Sequence, residues 1–164
     1  MSDSLPRVVF DTNVFIQAFL NPRGPSGRCF QLARERTILL FVSKKLAAEI
    51  EEVIARPAVR SVVRINYEVQ KDRFLSELKS SAYPFAELNG VFALPRDPKD
   101  EMLIDLAVGC EADFLVSRDN DLLNLMTGID NESKQFRQRF RGLKVVDPNE
   151  FLRIVDEIDL ALQP

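Results

Sequence analysis

The sequence predicts an α/β fold, a three-layer sandwich in which a central parallel sheet carries helices on both faces. Short apolar runs rich in β-branched and aromatic residues alternate with amphipathic stretches along the chain, and turn signals separate them. The runs are continuously hydrophobic, which is typical of strands buried on both faces of a parallel sheet. The chain has 164 residues, a length that suits one core, so we expect a single domain over 1–164.

The first half of the chain contains the clearest alternation of strand and helix patterns. In order, these patterns predict strand 8–10, helix 14–20, helix 26–36, strand 37–42, helix 44–54 and helix 66–80. Ser26, Ser43 and Asn66 are the expected N-caps, because their side-chain oxygens can accept from the free N–H groups of a first turn. On the last of these helices we expect an inward face made of Val69, Phe74, Leu75 and Leu78.

The second half of the chain repeats this alternation with shorter strands. Its patterns predict strand 91–94, a helix opened by Asp97 and running to about Cys110, strand 113–117, a helical turn at 122–125, strand 145–146 and helix 148–162. Residues 127–143 are polar and poorly patterned, and Gly128 and Gly142 mark turns there.

Composition excludes several classes of protein. The sequence has no histidine, which removes Ser-His-Asp triads, HExxH sites and any other chemistry based on a His general base. The net charge of −3 argues against a protein that coats DNA, although it does not exclude a nuclease with an acidic centre. Cys29 and Cys110 are far apart and are expected to be buried, reduced thiols. No apolar run is long enough to span a membrane and no signal-peptide pattern is present, so we expect a cytoplasmic protein.

Four acidic residues stand out by their position in the predicted elements. Asp11 directly follows the first strand, and Asp119 lies two residues beyond the strand that ends at Ser117. In open α/β sheets, ligands bind just beyond the carboxyl ends of the strands. Asp100 shares a helix face with buried apolar residues, whereas Glu101 and Asp105 are expected to fall to the side. Glu49 borders the apolar stripe of its helix.

Each of these acids also has a structural explanation. Asp11 can cap the following helix, and Asp119 and Asp121 can serve as turn or cap residues. Asp100 can be the third residue of a helix that Asp97 caps, and Glu49 can be an ordinary boundary glutamate. Taken together, however, several acids without any histidine favour an oxygen-ligand site for Mg²⁺ or Mn²⁺.

Four blocks of sequence resemble the PIN domain family, and most closely its group of toxin components from toxin–antitoxin pairs. The blocks are VVFDTNVF, KKLAAEIEEVI, RDPKDEMLIDLAVGCEADFLVSRDNDLL and VVDPNEFL. The resemblance implies a PIN-like fold and a metal-dependent endoribonuclease with an acidic groove at its strand ends. By motif position, the residues that resemble the four family acids, which hold the metal ion and carry catalysis, are Asp11, Glu49, Asp100 and Asp119.

The resemblance also implies supporting residues and partners. Asp97 and Asp121 match acids found beside the site, and Thr12, Asn13 and Ser117 fall where small polar residues line the groove. In the implied mechanism, Asp11, Asp100 and Asp119 hold Mg²⁺ or Mn²⁺, while Glu49 orients or deprotonates the attacking water or helps to hold a second ion. The implied partners are an RNA substrate, an antitoxin protein and a second copy of the chain in a homodimer.

The polar stretch 127–141 is longer than this family resemblance leads us to expect. Its cations, Lys134, Arg137, Arg139 and Arg141, could grip a single-stranded RNA backbone while neighbouring Phe rings stack on bases. The alternative is a solvated amphipathic segment that packs its Phe side chains.

Two other functions remain possible from the sequence. A phosphatase of the haloacid-dehalogenase type also begins from a strand-end Asp, but its motif needs a second Asp where Asn13 stands. A PIN-like scaffold that binds RNA or protein without cleaving it is the alternative from another class.

Overall fold

The computed structural model describes residues 4–86 and 98–164, and the strands in this part of the chain form one parallel sheet. They are β1 (Arg7–Phe10), β2 (Leu39–Val42), β3 (Ala82–Pro84), β4 (Phe114–Val116) and β5 (Lys144–Val146). Their order is β3-β2-β1-β4-β5, and every neighbouring pair is parallel. Helices surround this sheet, so the predicted α/β three-layer class is confirmed.

The helices of the described residues occupy the connections between strands and the C-terminal region. They are α1 (Thr12–Leu20), α2 (Pro25–Arg34), α3 (Lys44–Ile54), α4 (Pro57–Arg60), α5 (Tyr67–Ser81), α6 (Pro98–Gly109), α7 (Asn120–Leu123), α8 (Asn131–Arg139) and α9 (Pro148–Leu162). A 3₁₀ turn, Asn124–Met126, follows α7.

The strand order reverses direction at β1, and this reversal positions the candidate site. From β1 the chain moves outward on one side to β2 and β3, and it then returns to the other side of β1 for β4 and β5. Val9 of β1 is in register with Leu115 of β4, and Phe10 is in register with Val116. Such a switch point leaves a crevice at the carboxyl ends of the two strands, which is where ligands bind in open α/β sheets.

Aromatic side chains fill the core between the central strand and the helices that pack on it. The Phe10 ring lies 5.5 Å from the Phe15 ring and 6.2 Å from the Phe151 ring, so α1 and α9 pack on the same strand. Phe74 of α5 contacts Phe30 of α2 at 5.0 Å between ring centroids. Aromatic pairs at these separations stabilise a core beyond the area that they bury.

Three local expectations about helix starts and faces are wrong. Helix α2 begins at Pro25 with Gly24 as its N-cap, and Ser26 is a buried residue inside the first turn. Asn66 precedes α5 in the left-handed region, with φ of 53°, and its side chain caps nothing. Val69 is 57% exposed, because at about 100° per residue it lies roughly 140° from Phe74 around the helix.

The third strand of the sheet was not predicted from the sequence. It has only three residues and ends in Pro84, and a proline is tolerated in a strand only at an edge such as this one. Strand β2 begins at Leu39, two residues later than expected. The predicted strand 91–94 and the predicted cap Asp97 lie outside the described residues.

The polar stretch 127–143, for which the sequence pattern predicts no particular element, contains helix α8. The Asp130 carboxylate caps this helix by accepting from the Ser133 N–H at 2.9 Å. Phe136 is completely buried, and its ring lies 5.3 Å from that of Phe140. The alternative that this segment packs its Phe side chains therefore describes the structure correctly.

The structure shows the state of the two cysteines and the character of the helices. Cys29 and Cys110 are both buried and unpaired with one another, as the sequence predicts. Among the residues that the structure describes, none of the helices combines the length and apolar character required of a membrane span.

The burial of Phe136 makes a testable prediction about stability. Phe136→Ala leaves a cavity under α8 and should lower the free energy of unfolding by about 3–5 kcal/mol. Gln135→Ala, at an exposed position of the same helix, should change it by less than about 0.5 kcal/mol. Urea denaturation measures both values, and equal stabilities for the two variants would contradict the packing described here.

Candidate active site

A cavity of about 300 Å³ opens at the carboxyl ends of β1 and β4. Its wall combines the four acids that the sequence singled out with polar and apolar side chains from α1, α3 and α6. The lining residues are Asp11, Thr12, Asn13, Ile16, Gln17, Glu49, Val53, Lys99, Asp100, Leu103 and Asp119. The fold thus brings together acids that are separated by up to 108 positions in the chain.

Asp11 is held at the centre of this cavity by the pairing of the two strands. Its N–H donates to the Val116 carbonyl at 2.9 Å, which extends the β1–β4 pairing one residue beyond the strand. Its side chain is buried, and Oδ2 accepts from the Ser117 hydroxyl at 2.7 Å and from the Asn13 amide at 3.2 Å. Two donors therefore set the orientation of this carboxylate.

Ser117 connects Asp11 to Asp119. Its completely buried hydroxyl donates to Asp11 and accepts from the Asp119 N–H at 3.0 Å. The Asp119 carboxylate in turn accepts from the Asp121 N–H at 2.9 Å and caps α7. Asp119 is therefore a cap residue that also lines the cavity. Asp121 is exposed and contributes its N–H to that cap.

Glu49 reaches the cavity from the middle of α3. Its Oε2 accepts from the Thr12 hydroxyl at 3.0 Å, which links α3 to the first residue of α1. Its Oε1 lies 3.9 Å from the Lys99 ammonium, and the Lys99 side chain is 72% exposed. Lys99 is a lining residue that the sequence did not single out, because nothing in its local pattern distinguishes it from a surface lysine.

Helix α6 contributes Asp100 from its first turn. Asp100 is only 6% exposed and lines the cavity, so its predicted inward position is correct. Asp105, which was expected at the side of the helix, is also buried, at 7% exposure, but it does not line this cavity. The reason is that α6 packs against both β1 and β4 and has a continuous buried stretch over 103–107.

Burial, together with the neighbouring carboxylates, raises the pKa of Asp11. Burial is the main cause, because it removes the charged form from water, and the negative charges of Asp119 and Glu49 add repulsion. The Ser117 hydroxyl and the Thr12 N–H act in the opposite direction by hydrogen bonding to the charged form. A bound cation would relieve the same repulsion.

The acids of the cavity have the donor atoms that a divalent metal ion prefers, but they are not grouped tightly. Their oxygen donors suit Mg²⁺ or Mn²⁺. Within residues 4–86 and 98–164, however, no three Asp, Glu or Cys side chains are grouped closely enough to hold an ion as they stand. The donor chemistry therefore fits a divalent cation, and the cavity is an open arrangement that such an ion would have to draw together.

The four cations expected to contact RNA do not line the acidic cavity. Arg137 donates to the Leu125 and Gly128 carbonyls, both at 2.8 Å, and so ties α8 to the turn before it. Its guanidinium is occupied in this structural role. Lys134, Arg139 and Arg141 are exposed.

A parallel sheet whose switch point carries a set of carboxylates defines an α/β protein with an acidic ligand site. Residues 7–121 match the PIN domain family, and the chain belongs to this family. It is also similar to the uncharacterized protein MJ1680 of Methanocaldococcus jannaschii, with 32% identity over 148 residues that cover 89% of each chain. PIN domains are generally nucleases that use divalent metal ions. Helix α8, strand β5 and helix α9 lie beyond the matched residues.

The raised pKa of Asp11 predicts a pH-dependent effect of Asp11→Asn on the metal-free protein. Below the ordinary Asp value of 3.8 the carboxyl group is protonated in both the folded and the unfolded state. As the pH rises through the elevated pKa, the wild-type protein must bury a charge that the Asn variant lacks. The variant should therefore gain thermal stability relative to wild type as the pH rises from 3.8 through the elevated pKa, and the gain should level off above it.

Thermal unfolding in the presence of EDTA measures this effect. Asp156→Asn, at an exposed position of α9, serves as the control and should follow the wild-type profile. A difference between wild type and Asp11→Asn that stays constant with pH would show that burial of this charge does not cost stability.

Proposed function

We propose that the protein is a metal-dependent endoribonuclease that cleaves single-stranded or structured RNA in the acidic cavity. The observation that carries this proposal is the convergence of Asp11, Glu49, Asp100 and Asp119, from four separate segments, on one cavity at the switch point of the sheet. Membership of a family of nucleases supports the class of reaction.

The acids divide into metal ligands and a residue that acts on water. Asp11, Asp100 and Asp119 would hold Mg²⁺ or Mn²⁺, with Glu49 available for the same ion or a second one. When bound, the ion supplies charge stabilisation at the scissile phosphate and lowers the pKa of a coordinated water. All the donors are oxygens, which supports this choice of ions over zinc.

The hydrogen bonds around the cavity support a separate role for each side chain in this mechanism. Ser117 and Asn13 hold the Asp11 carboxylate in one orientation, so little reorganisation is needed when the substrate binds. The Thr12 hydroxyl holds one oxygen of Glu49, which leaves that carboxylate positioned to orient the attacking water or accept its proton. Lys99 places an exposed ammonium beside the site, where it can pair with a phosphate oxygen.

A PIN-like module that binds RNA or protein without cleavage is the second candidate. The observation that favours it is the open arrangement of the acids, of which no three form a cation-holding group in the described residues. The ion pair between Lys99 and Glu49 would also be compatible with a site that carries no metal. The two candidates differ in whether RNA is cut.

An RNA cleavage assay distinguishes the two candidate functions and includes a matched pair of substitutions on α3. Wild-type protein with Mn²⁺ or Mg²⁺ should cut a structured RNA, and Asp11→Asn should reduce the rate to background. Glu49→Gln should lower the rate by roughly 10²–10⁴-fold, as expected for loss of a general base. Glu51→Gln, two residues along α3 and exposed, should retain full activity. Equal residual cleavage by wild type and Asp11→Asn would refute the nuclease proposal and favour the binding module.

A second experiment tests metal binding without an activity readout. Mg²⁺ or Mn²⁺ at about 100 times its dissociation constant should stabilise the wild-type protein by about 2.7 kcal/mol. Asp11→Asn should lose most of this effect, whereas Asp156→Asn should retain it. The free energy of unfolding in EDTA and in the metal ion gives both values, and an equal response of all three proteins would exclude Asp11 as a ligand.

We also propose that the enzyme is a homodimeric toxin controlled by an antitoxin protein. The sequence blocks that resemble the toxin group support this assignment. Induced expression in a bacterial host should arrest growth, and Asp11→Asn should relieve the arrest. Light scattering should give the mass of two chains. Normal growth despite RNA cleavage in vitro would argue against the toxin role.

A further inference from the structure

A second cavity, of about 380 Å³, adjoins the acidic one. Gln17 lines both cavities, so they share a wall. The second cavity lies between the start of α2, the start of α9 and the segment after β4, and its polar lining includes Asn21, Ser26, Arg118, Asn149 and Asp147. The sequence analysis did not single out this group, and the mechanism above does not use it.

The start of α2 lines this cavity with a free backbone donor. Gly24 is the N-cap and offers no side-chain oxygen, Pro25 has no N–H, and the first turn contains no acid. The Ser26 N–H has no protein acceptor in the described part of the chain. A free N–H group at the start of a ten-residue helix favours an anion.

The Ser26 hydroxyl is an independent indication of a ligand at this place. Ser26 is only 4% exposed, yet its hydroxyl has no hydrogen-bond partner among the residues described. No fully enclosed side-chain oxygen or nitrogen in those residues lacks a partner. The hydroxyl must therefore reach the open space of the cavity that it lines, where it can donate to a bound group.

Arg118 adds a positive charge to the same cavity. It is exposed, and its guanidinium forms no ion pair within the described residues. Its backbone N–H donates to the Asn13 side-chain oxygen at 3.3 Å. Arg118 is therefore bonded to one of the residues that orient Asp11 and directly precedes Asp119, which lines the acidic cavity.

Among the described residues that line this second cavity, Asp147 is the one with an acidic side chain. Its Oδ1 accepts from the Glu150 N–H at 2.8 Å and so caps α9. The negative charge must weaken anion binding at this cavity. Because Asn is an equally good N-cap, Asp147→Asn can remove the charge while preserving the helix start.

We propose that this second cavity binds a backbone phosphate of the RNA strand, next to the phosphate that occupies the acidic cavity. The inference rests on the proposed nuclease function, since it assigns the position of the substrate strand. Arg118, the Ser26 hydroxyl and the Ser26 N–H are the donors to this phosphate. The net charge of −3 makes such a local donor set necessary for holding a polyanion near four carboxylates.

Binding of a fluorescein-labelled single-stranded RNA octamer in EDTA tests the proposal without cleavage. Arg118→Gln should weaken binding about five- to tenfold and reduce the slope of log affinity against log salt by about 0.7, the value for one phosphate of a single strand. Arg64→Gln is the matched control, because Arg64 is exposed and lines none of the cavities described above. It should bind like wild type.

Two further variants separate a binding role from a structural one. Ser26→Ala should weaken RNA binding while leaving thermal stability unchanged or raised, because it removes an unpartnered buried hydroxyl. Asp147→Asn should tighten binding with no loss of stability. A Ser26→Ala variant that binds like wild type, or an Asp147→Asn variant that binds no more tightly, would overturn the assigned donor set.

The outcomes distinguish this inference from the nuclease proposal. If Arg118→Gln binds the octamer as well as wild type does, or if wild type does not bind it, the phosphate site is wrong even when Asp11→Asn abolishes cleavage. If wild type cuts no RNA but binding still depends on Arg118 and Ser26, the nuclease proposal fails and a phosphate site on a binding module remains.

Discussion

The pairing of β1 with β4 is the constraint on which the rest of the site depends. Parallel strands end at the same edge of a sheet, so the residues after Phe10 and Val116 must emerge side by side. The Asp11 N–H continues the pairing, and the Ser117 hydroxyl bonds across it to the Asp11 carboxylate. The buried charge is thus held by the same contacts that close the centre of the sheet.

The energetics of Asp11 explain why such a residue indicates function. A buried carboxylate costs free energy unless it is hydrogen-bonded, paired or bound to a metal ion. Here hydrogen bonds from Ser117, Asn13 and Thr12 offset part of that cost, but Asp119 and Glu49 add repulsion. A protein selected only for stability would have no use for this combination. A divalent ion would supply the missing positive charge, which connects the repulsion at Asp11 to the proposed chemistry.

In the proposed function, the two adjoining cavities contact neighbouring phosphates of one RNA strand. One concentrates negative charge, where a metal ion and a scissile phosphate would meet, and the other offers an arginine, a hydroxyl and a helix N–H group. Gln17 lines both cavities, so the two proposed phosphate positions are adjacent. Under this proposal an acidic protein binds a polyanion without a broad basic surface, and Arg118 contributes more to binding than the exposed cations of α8 and its flank.

The sequence by itself determined the α/β class, most helices, and the positions of Asp11, Asp100 and Asp119 relative to strand ends and buried helix faces. These features follow from local hydrophobic periodicity and from the rule that sites lie beyond the carboxyl ends of parallel strands. Phe136 shows the limit of that approach, because α8 contains too few apolar residues to display a period, and only its packing against the 3₁₀ turn reveals the helix.

Tertiary structure alone decided the features that join distant segments. Strand β3 exists because Leu40, Phe41 and Val42 offer it an edge to pair with, and Asp105 is buried because α6 packs on two strands at once. The second cavity assembles Ser26, Arg118 and Asp147 from three segments that carry no common motif. Periodicity describes which face of one element turns inward, but the neighbours met by that face are set by the order of strands in the sheet.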